Sequence, residues 1–213
     1  NSNEIHQIST DRQYKEFAKF IYEILSTKKY INLLDFGAGT GGLIVELERI
    51  NAEERALKIE GTESSKNARE EANRRLSNRA VAEKININNK YDMVIMMEVI
   101  EHLTEPWNDL VAINKVLEDK GCLVITTPNL YGLNSLLTKC KWREQNESTH
   151  LIMFGKKSLR DLLYKSGFSR VNFIKYYPAG ERGLLHKIKT KVLQFFGLHG
   201  GICTIAYKHR EES

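Results

Sequence analysis

The sequence predicts an α/β protein built on a doubly wound sheet, and three observations carry that expectation. Short apolar runs alternate with amphipathic helical runs along the chain. The first apolar run passes directly into a glycine cluster, "INLLDFGAGTGG" (31–42). The run "YDMVIMM" (91–97) is apolar at every residue after Asp92, as a strand buried on both faces of a parallel sheet should be. In such sheets ligands bind beyond the carboxyl ends of the strands.

The elements follow in order. Phe17, Phe20, Ile21, Ile24 and Leu25 fall at helical spacing behind the capping candidates Ser9, Thr10 and Asp11, which predicts a first helix that packs on the sheet or covers a pocket. "INLLDF" (31–36) is a strand, "GAGTGG" (37–42) a turn and "LIVELERI" a helix. "LKIEGT" (57–62) is a second strand feeding the charged helical stretch "SSKNAREEANRRLSN", with a weak third strand near "RAVAEKI" (79–85). After the fourth strand at 91–97, "DLVAINKVLEDKGC" predicts a helix ending near Gly121, and "CLVITTPN" (122–129) a fifth strand stopped by Pro128. "KSLRDLLYKSGF" is a further helix, "RVNFIKYY" (170–177) a strand and "GICTIAYKH" (201–209) the last strand.

At 213 residues the chain fits a single domain, 1–213, able to bury roughly 70% of its unfolded surface, with insertions at about 129–150 and 178–200 that could form a substrate cap. Lys and Arg outnumber Asp and Glu by 32 to 27, and the resulting +5 favours anionic partners without naming one. No apolar run approaches the roughly 20 residues that span a bilayer. The polar start "NSNEIHQISTDRQYKEF" carries no signal peptide, and because it begins at Asn1 some native residues are expected upstream. Cys122, Cys140 and Cys203 are odd in number and widely spaced, which predicts free thiols in a reducing, cytoplasmic setting.

The chemistry gathers at two places. Glycines at 37, 39, 41 and 42 directly after a strand allow a tight turn and close approach of backbone to a ligand, with the N–H groups of the next helix beyond them. Asp35 precedes the first glycine by two residues. Glu63 follows Gly41 by 22, where an acid accepts hydrogen bonds from the hydroxyls of an adenosine ribose. The second place is "MMEVIEHLTEPW" (96–107), where Glu98, Glu101 and His102 would share one face if the chain turned helical after its buried strand. A tight turn and a solvated corner are the plain alternatives.

Taken together, "LLDFGAGTGG", the acid in "IEGTES", "YDMVIMMEVIEHL", "VLEDKGCLVITTPN" and "SLRDLLYKSGF" resemble, in order and spacing, the class I S-adenosylmethionine-dependent methyltransferases, over nearly the whole chain. The resemblance implies a Rossmann-like, seven-stranded sheet whose last strand is antiparallel, with S-adenosylmethionine as cofactor and S-adenosylhomocysteine as product. It implies that Gly37, Ala38, Gly39 and Gly41 flank the methionine moiety and that Asp35 contacts its amino end. Glu63 would then hold the ribose, with Ser64 beside it, and Met97 and Glu98 would lie at the donor methyl. One departure stands out: where the family often has an acid at the end of the third strand for the adenine amino group, this chain offers Val81 or Ala82. Backbone groups near 82–85, or a displaced Glu83, would take that contact.

Within the family, "EVIEHL" resembles the ubiquinone-biosynthesis O-methyltransferases and the small-RNA 2′-O-methyltransferases. There a Glu-x-x-Glu-His segment and a later His can hold a divalent metal. Glu98, Glu101, His102 and His150 match that set, which implies Mg or another divalent ion. With or without metal, His102 suits a general base near neutral pH, with His150 as its partner in catalysis. The acceptor expected is a small-molecule, sugar or lipid-linked hydroxyl. The apolar face of 184–196 is expected to lie on the body, to act as a lid or to touch a bilayer. Nucleic acid is the less favoured acceptor, since +5 spread over the chain does not make a basic stripe. A cofactor-binding scaffold without turnover is the rival of another class.

Overall fold

The computed structural model describes residues 2–25, 30–51, 56–76, 81–175, 192–193 and 197–208. One sheet of seven strands, ordered β3-β2-β1-β4-β5-β7-β6, runs through it. The strands are β1 (Tyr30–Phe36), β2 (Ala56–Thr62), β3 (Val81–Ala82), β4 (Tyr91–Met97), β5 (Leu117–Pro128), β6 (Phe168–Ile174) and β7 (Gly201–Lys208). β7 pairs antiparallel with both β5 and β6, while the pairings among β1 to β5 are parallel. The last strand is therefore inserted between its neighbours in the direction the resemblance implied.

Alternation along the strands builds the two halves of the core. Leu33, Met93, Ile95 and Val124 point to one face, where Phe17, Ile21, Ile44 and Leu47 of α1 (Ser2–Ile24) and α2 (Gly42–Asn51) cover them. Leu34, Val94, Met96, Leu123 and Ile125 point to the other, under Leu110, Ile113, Leu159 and Leu163 of α4 (Pro106–Val116) and α6 (Lys156–Lys165). This double burial is why β4 reads as an unbroken apolar run. α3 (Lys66–Arg75) lies between β2 and β3, and the short α5 (Leu133–Thr138) follows β5.

Three expectations are corrected. The first helix begins at Ser2 and runs through Ser9, Thr10 and Asp11, so none of these is its cap. The helix after Trp107 ends at Val116, not near Gly121. Leu117 already pairs with Tyr91, after which Glu118, Asp119 and Lys120 bulge out exposed and pairing resumes at Cys122–Met93. Burial decides this point, because Leu117 and Cys122 are both taken into the core and the three charged residues between them cannot follow. The third strand shrinks to Val81–Ala82. Of the stretch 184–196, only Val192 and Leu193 lie within the described residues.

Candidate active site

The carboxyl ends of β1, β2 and β4 form one corner. After Phe36 the chain turns through Gly37, Gly39 and Gly41, whose φ angles of 82°, 54° and 79° lie in the left-handed region that glycine alone adopts freely. Gly37 and Ala38 donate their N–H groups to the Thr62 carbonyl, both at 2.8 Å, which ties the loop to the end of β2. Two of the glycines are also required by packing. A Cβ on Gly37 would lie 2.5 Å from Cγ2 of Val99, and one on Gly42 would lie 2.5 Å from the Tyr14 ring. Gly39 differs: a Cβ there would meet no described atom within 4 Å, so its outer face is open.

Glu63, half-buried just past β2, faces this loop. Its Oε2 accepts from the Gly39 N–H at 2.9 Å and its Oε1 from the Ser65 N–H at 2.7 Å. A carboxylate has about four acceptor positions, so these two short bonds leave room for a hydroxyl, and for a second where the long Ser64 contact gives way. Ser64 is exposed beside it and donates a long 3.5 Å hydrogen bond to Oε1. Asp35, at the end of β1, is 2% exposed, and its Oδ2 has no hydrogen-bond partner among the described residues. Burial, and secondarily the Glu63 carboxylate, push its pKa up to about 7. A buried acid with an unmatched oxygen could pair with an ammonium group. The residues present therefore fit S-adenosylmethionine: Asp35 for its amino end, Gly39 for close backbone approach and Glu63 for its ribose.

The corner beyond β4 is shaped differently from the expected helix. Met97 ends the strand half-buried. Glu98 has a φ of 56°, a conformation that costs a non-glycine residue roughly 1–2 kcal/mol. Its N–H still donates to the Thr126 carbonyl at 3.0 Å. This reversal throws Val99 onto Gly37 and leads into a short 3-10 helix, Ile100–His102. Glu98 precedes that helix, so it does not share a face with Glu101 and His102.

Glu101, His102 and His150 do come together, each offering a ligand atom within 4.8 Å of the others, and Glu98 is not among them. Of the four residues expected to hold a metal, these three have ligand atoms mutually close. The loop carrying His150 is pinned by its neighbours, because the N–H groups of Leu151 and Ile152 both donate to the Glu101 carbonyl, at 2.8 and 3.1 Å. The two imidazoles meet edge to face with centroids 4.7 Å apart. His102 Nδ1 lies 2.8 Å from the Thr149 carbonyl, and His150 Nδ1 lies 2.7 Å from the Glu144 carbonyl. Carbonyls only accept, so each Nδ1 carries a proton, and the tautomer this selects has its lone pair on Nε2. Glu101 is 1% exposed. Its Oε2 accepts from the Thr127 hydroxyl at 3.0 Å while Oε1 has no hydrogen-bond partner among the described residues, and burial raises its pKa to about 7.

Several residues of this corner gave no signal in the sequence. Tyr14 packs on Gly42 and, through burial and the Asp35 charge, has its hydroxyl pKa raised. Thr127, Val99 and Glu144 act by contacts that only folding creates. Helical spacing around Tyr14 could place the first helix against the sheet, but not its ring over a glycine.

Residues 8–172 match a family described as a methyltransferase domain. No curated protein matches the sequence. Among solved structures, a SAM-dependent methyltransferase from Archaeoglobus fulgidus superimposes with a TM-score of 0.64 at 18% identity, over 91% of this chain and 94% of that one. The plantazolicin methyltransferase BamL, in complex with a triazolic desmethylPZN analog and SAH, gives 0.67 at 16% identity over 95% and 87%. The [4+2]-cyclase SpnF gives 0.61 at 18% over 92% and 81%, so the same fold also serves other chemistry. With a matched domain covering most of its length and a class I, Rossmann-like sheet, the chain belongs to the methyltransferase-domain family and is an S-adenosylmethionine-dependent methyltransferase.

Proposed function

We propose that the enzyme methylates a hydroxyl oxygen of a small-molecule, sugar or lipid-linked acceptor, in the manner of the ubiquinone-biosynthesis O-methyltransferase-like subgroup. The observation that carries this reading is the pair of imidazoles whose Nδ1 atoms both face backbone carbonyls. Methyl transfer from a sulfonium is an in-line displacement: the carbon–sulfur bond breaks, the carbon–oxygen bond forms and the thioether leaves with its electron pair. The one proton to remove is that of the acceptor hydroxyl, and His102 Nε2 takes it, with His150 at its edge and the Glu101 carboxyl beside the imidazolium. Met97 and Glu98 border the donor methyl, and Gly37, Ala38, Gly39 and Gly41 cradle the methionine chain.

Glu101, His102 and His150 also suit a divalent ion such as Mg, which would lower the pKa of an acceptor hydroxyl. The insertion at 129–150 borders the acceptor side, while the cap expected at 178–200 and the lipid contact expected at 184–196 lie, apart from 192–193 and 197–200, outside the described residues. No described helix is long and apolar enough to cross a membrane, and Cys122 and Cys203 are buried free thiols, in keeping with a cytoplasmic enzyme.

The test is turnover of S-adenosylmethionine with phenols, catechols, sugars and a prenylated phenol, with and without chelator, read as S-adenosylhomocysteine release and product mass. An O-methylated product that disappears in His102→Ala supports the reading. Methyl found only on nitrogen or carbon overturns it, and S-adenosylhomocysteine binding without acceptor-dependent turnover favours the scaffold. Loss with chelator and recovery with Mg adds the metal.

A further inference from the structure

The geometry points to Arg69, on the first turn of α3, as the positioning residue that sets the enzyme's grip on the cofactor ribose by holding the Glu63 loop. The inference rests on the assignment of Glu63 to the ribose hydroxyls, and three contacts carry it. Arg69 Nη1 donates to the Glu63 carbonyl at 2.6 Å and to the Ser64 carbonyl at 3.1 Å, and Nη2 pairs with the Glu83 carboxylate at 3.3 Å. One planar guanidinium thus binds the loop after β2 and the residue that follows β3. The Arg69 side chain is only 17% exposed and its bond to the Glu63 carbonyl is partly buried, a shielded, charge-assisted contact, whereas Glu83 is 62% exposed and its pairing with Arg69 lies at the surface and adds little.

The Glu63 segment has few other restraints. Its N–H donates to the Ala82 carbonyl at 2.9 Å, and its carboxylate is aimed by the N–H groups of Gly39 and Ser65. Two carbonyls, of Glu63 and Ser64, follow one another in a loop that leaves the sheet, and Arg69 is the donor to both. Without it they turn to water, and the carboxylate loses the fixed direction that bidentate recognition of two hydroxyls requires. Asn73, one turn further along α3, does for β3 what Arg69 does for β2. Its Oδ1 accepts from the Val81 N–H at 2.6 Å and its Nδ2 donates to the Val81 carbonyl at 3.2 Å. Arg75 provides an internal contrast, because it reaches the Thr40 carbonyl and hydroxyl at 3.2 Å from an exposed position. Such solvated bonds contribute little.

The test compares affinities of the full chain for 5′-methylthioadenosine and its 2′-deoxy analogue by calorimetry, in wild type, Arg69→Ala, Arg69→Lys and Arg75→Ala. The wild type and Arg75→Ala should prefer the ribonucleoside by about tenfold or more, the value of one charge-assisted hydrogen bond. In Arg69→Ala the preference should collapse to within about twofold, because the aim of Glu63 is lost. Arg69→Lys, which keeps the charge and a single donor direction, should fall between them. A general loss of folding would lower both affinities by one factor and leave the ratio intact, so a ratio kept in Arg69→Ala, or in Arg69→Lys if the alanine variant does not fold, overturns the proposal. Absence of the preference in the wild type overturns it too, but by removing the ribose role of Glu63 and not the role of Arg69.

Discussion

Burial lifts the Asp35 carboxyl from the unfolded value of about 3.9 to about 7, and the consequences for stability and binding have opposite signs. Between those values the folded state holds a proton that the unfolded state has released, so the contribution of Asp35 to stability is full below about pH 4 and is lost as pH rises through 7. An α-ammonium group beside it favours the carboxylate. Affinity for S-adenosylhomocysteine should therefore rise from about pH 6 to 7.5 with release of a proton, seen in calorimetry as a binding heat that depends on the buffer. Asp35→Asn should bind far more weakly, release no proton and be at least as stable as wild type at pH 8. A buffer-independent heat would contradict the assignment. Two glycines give a second contrast. Gly39→Val should keep the sheet, as read by circular dichroism, but lose S-adenosylhomocysteine binding, because its side chain enters the open face. Gly42→Ala should instead lower stability by about 1–3 kcal/mol, as its Cβ meets the Tyr14 ring at 2.5 Å.

The connections between elements decide what the site can be. Asn129, just past β5 and 2% exposed, donates through Nδ2 to the carbonyls of Gly197 and His199 at 3.3 and 2.9 Å and accepts from the Tyr131 N–H at 3.0 Å. Its own N–H donates to the Gly200 carbonyl at 2.8 Å. One side chain therefore joins the start of the 129–150 insertion to the approach to β7. Asn129→Ala should cost about 1–2 kcal/mol in urea unfolding, since it removes three hydrogen bonds to half-buried and exposed backbone groups at the junction. A change below about 0.5 kcal/mol would mean that the junction is held by other contacts. The corner after β4 works at the same scale. The spacing of Glu98, Glu101 and His102 suggested one helical face, but the left-handed Glu98 and the short turn at Ile100–His102 separate the first acid from the other two.

Across the whole molecule, protection should follow depth in the sheet. β1, β4 and β5 are covered on both faces and flanked on both edges, whereas β6 is an edge strand with Ser169, Arg170 and Asn172 exposed. Amide exchange should be slowest in β4 and β5 and faster by at least about tenfold in β6, and equal protection would contradict this ranking. The alternation of elements, the glycine turn with Asp35 before it and Glu63 after it, and the family resemblance are legible along the chain, because they depend on residues close in sequence: periodic burial, backbone freedom and turn chemistry. Which distant groups meet is set by the fold. His102 and His150 lie 48 residues apart, and they touch because the Glu101 carbonyl captures the N–H groups of Leu151 and Ile152. Tyr14 over Gly42, Val99 over Gly37 and Arg69 across two loops belong to the same class. The end of α4 at Val116 does as well, because the competition between one more helical turn and the pairing of Leu117 with Tyr91 is won by a partner strand that local sequence does not contain.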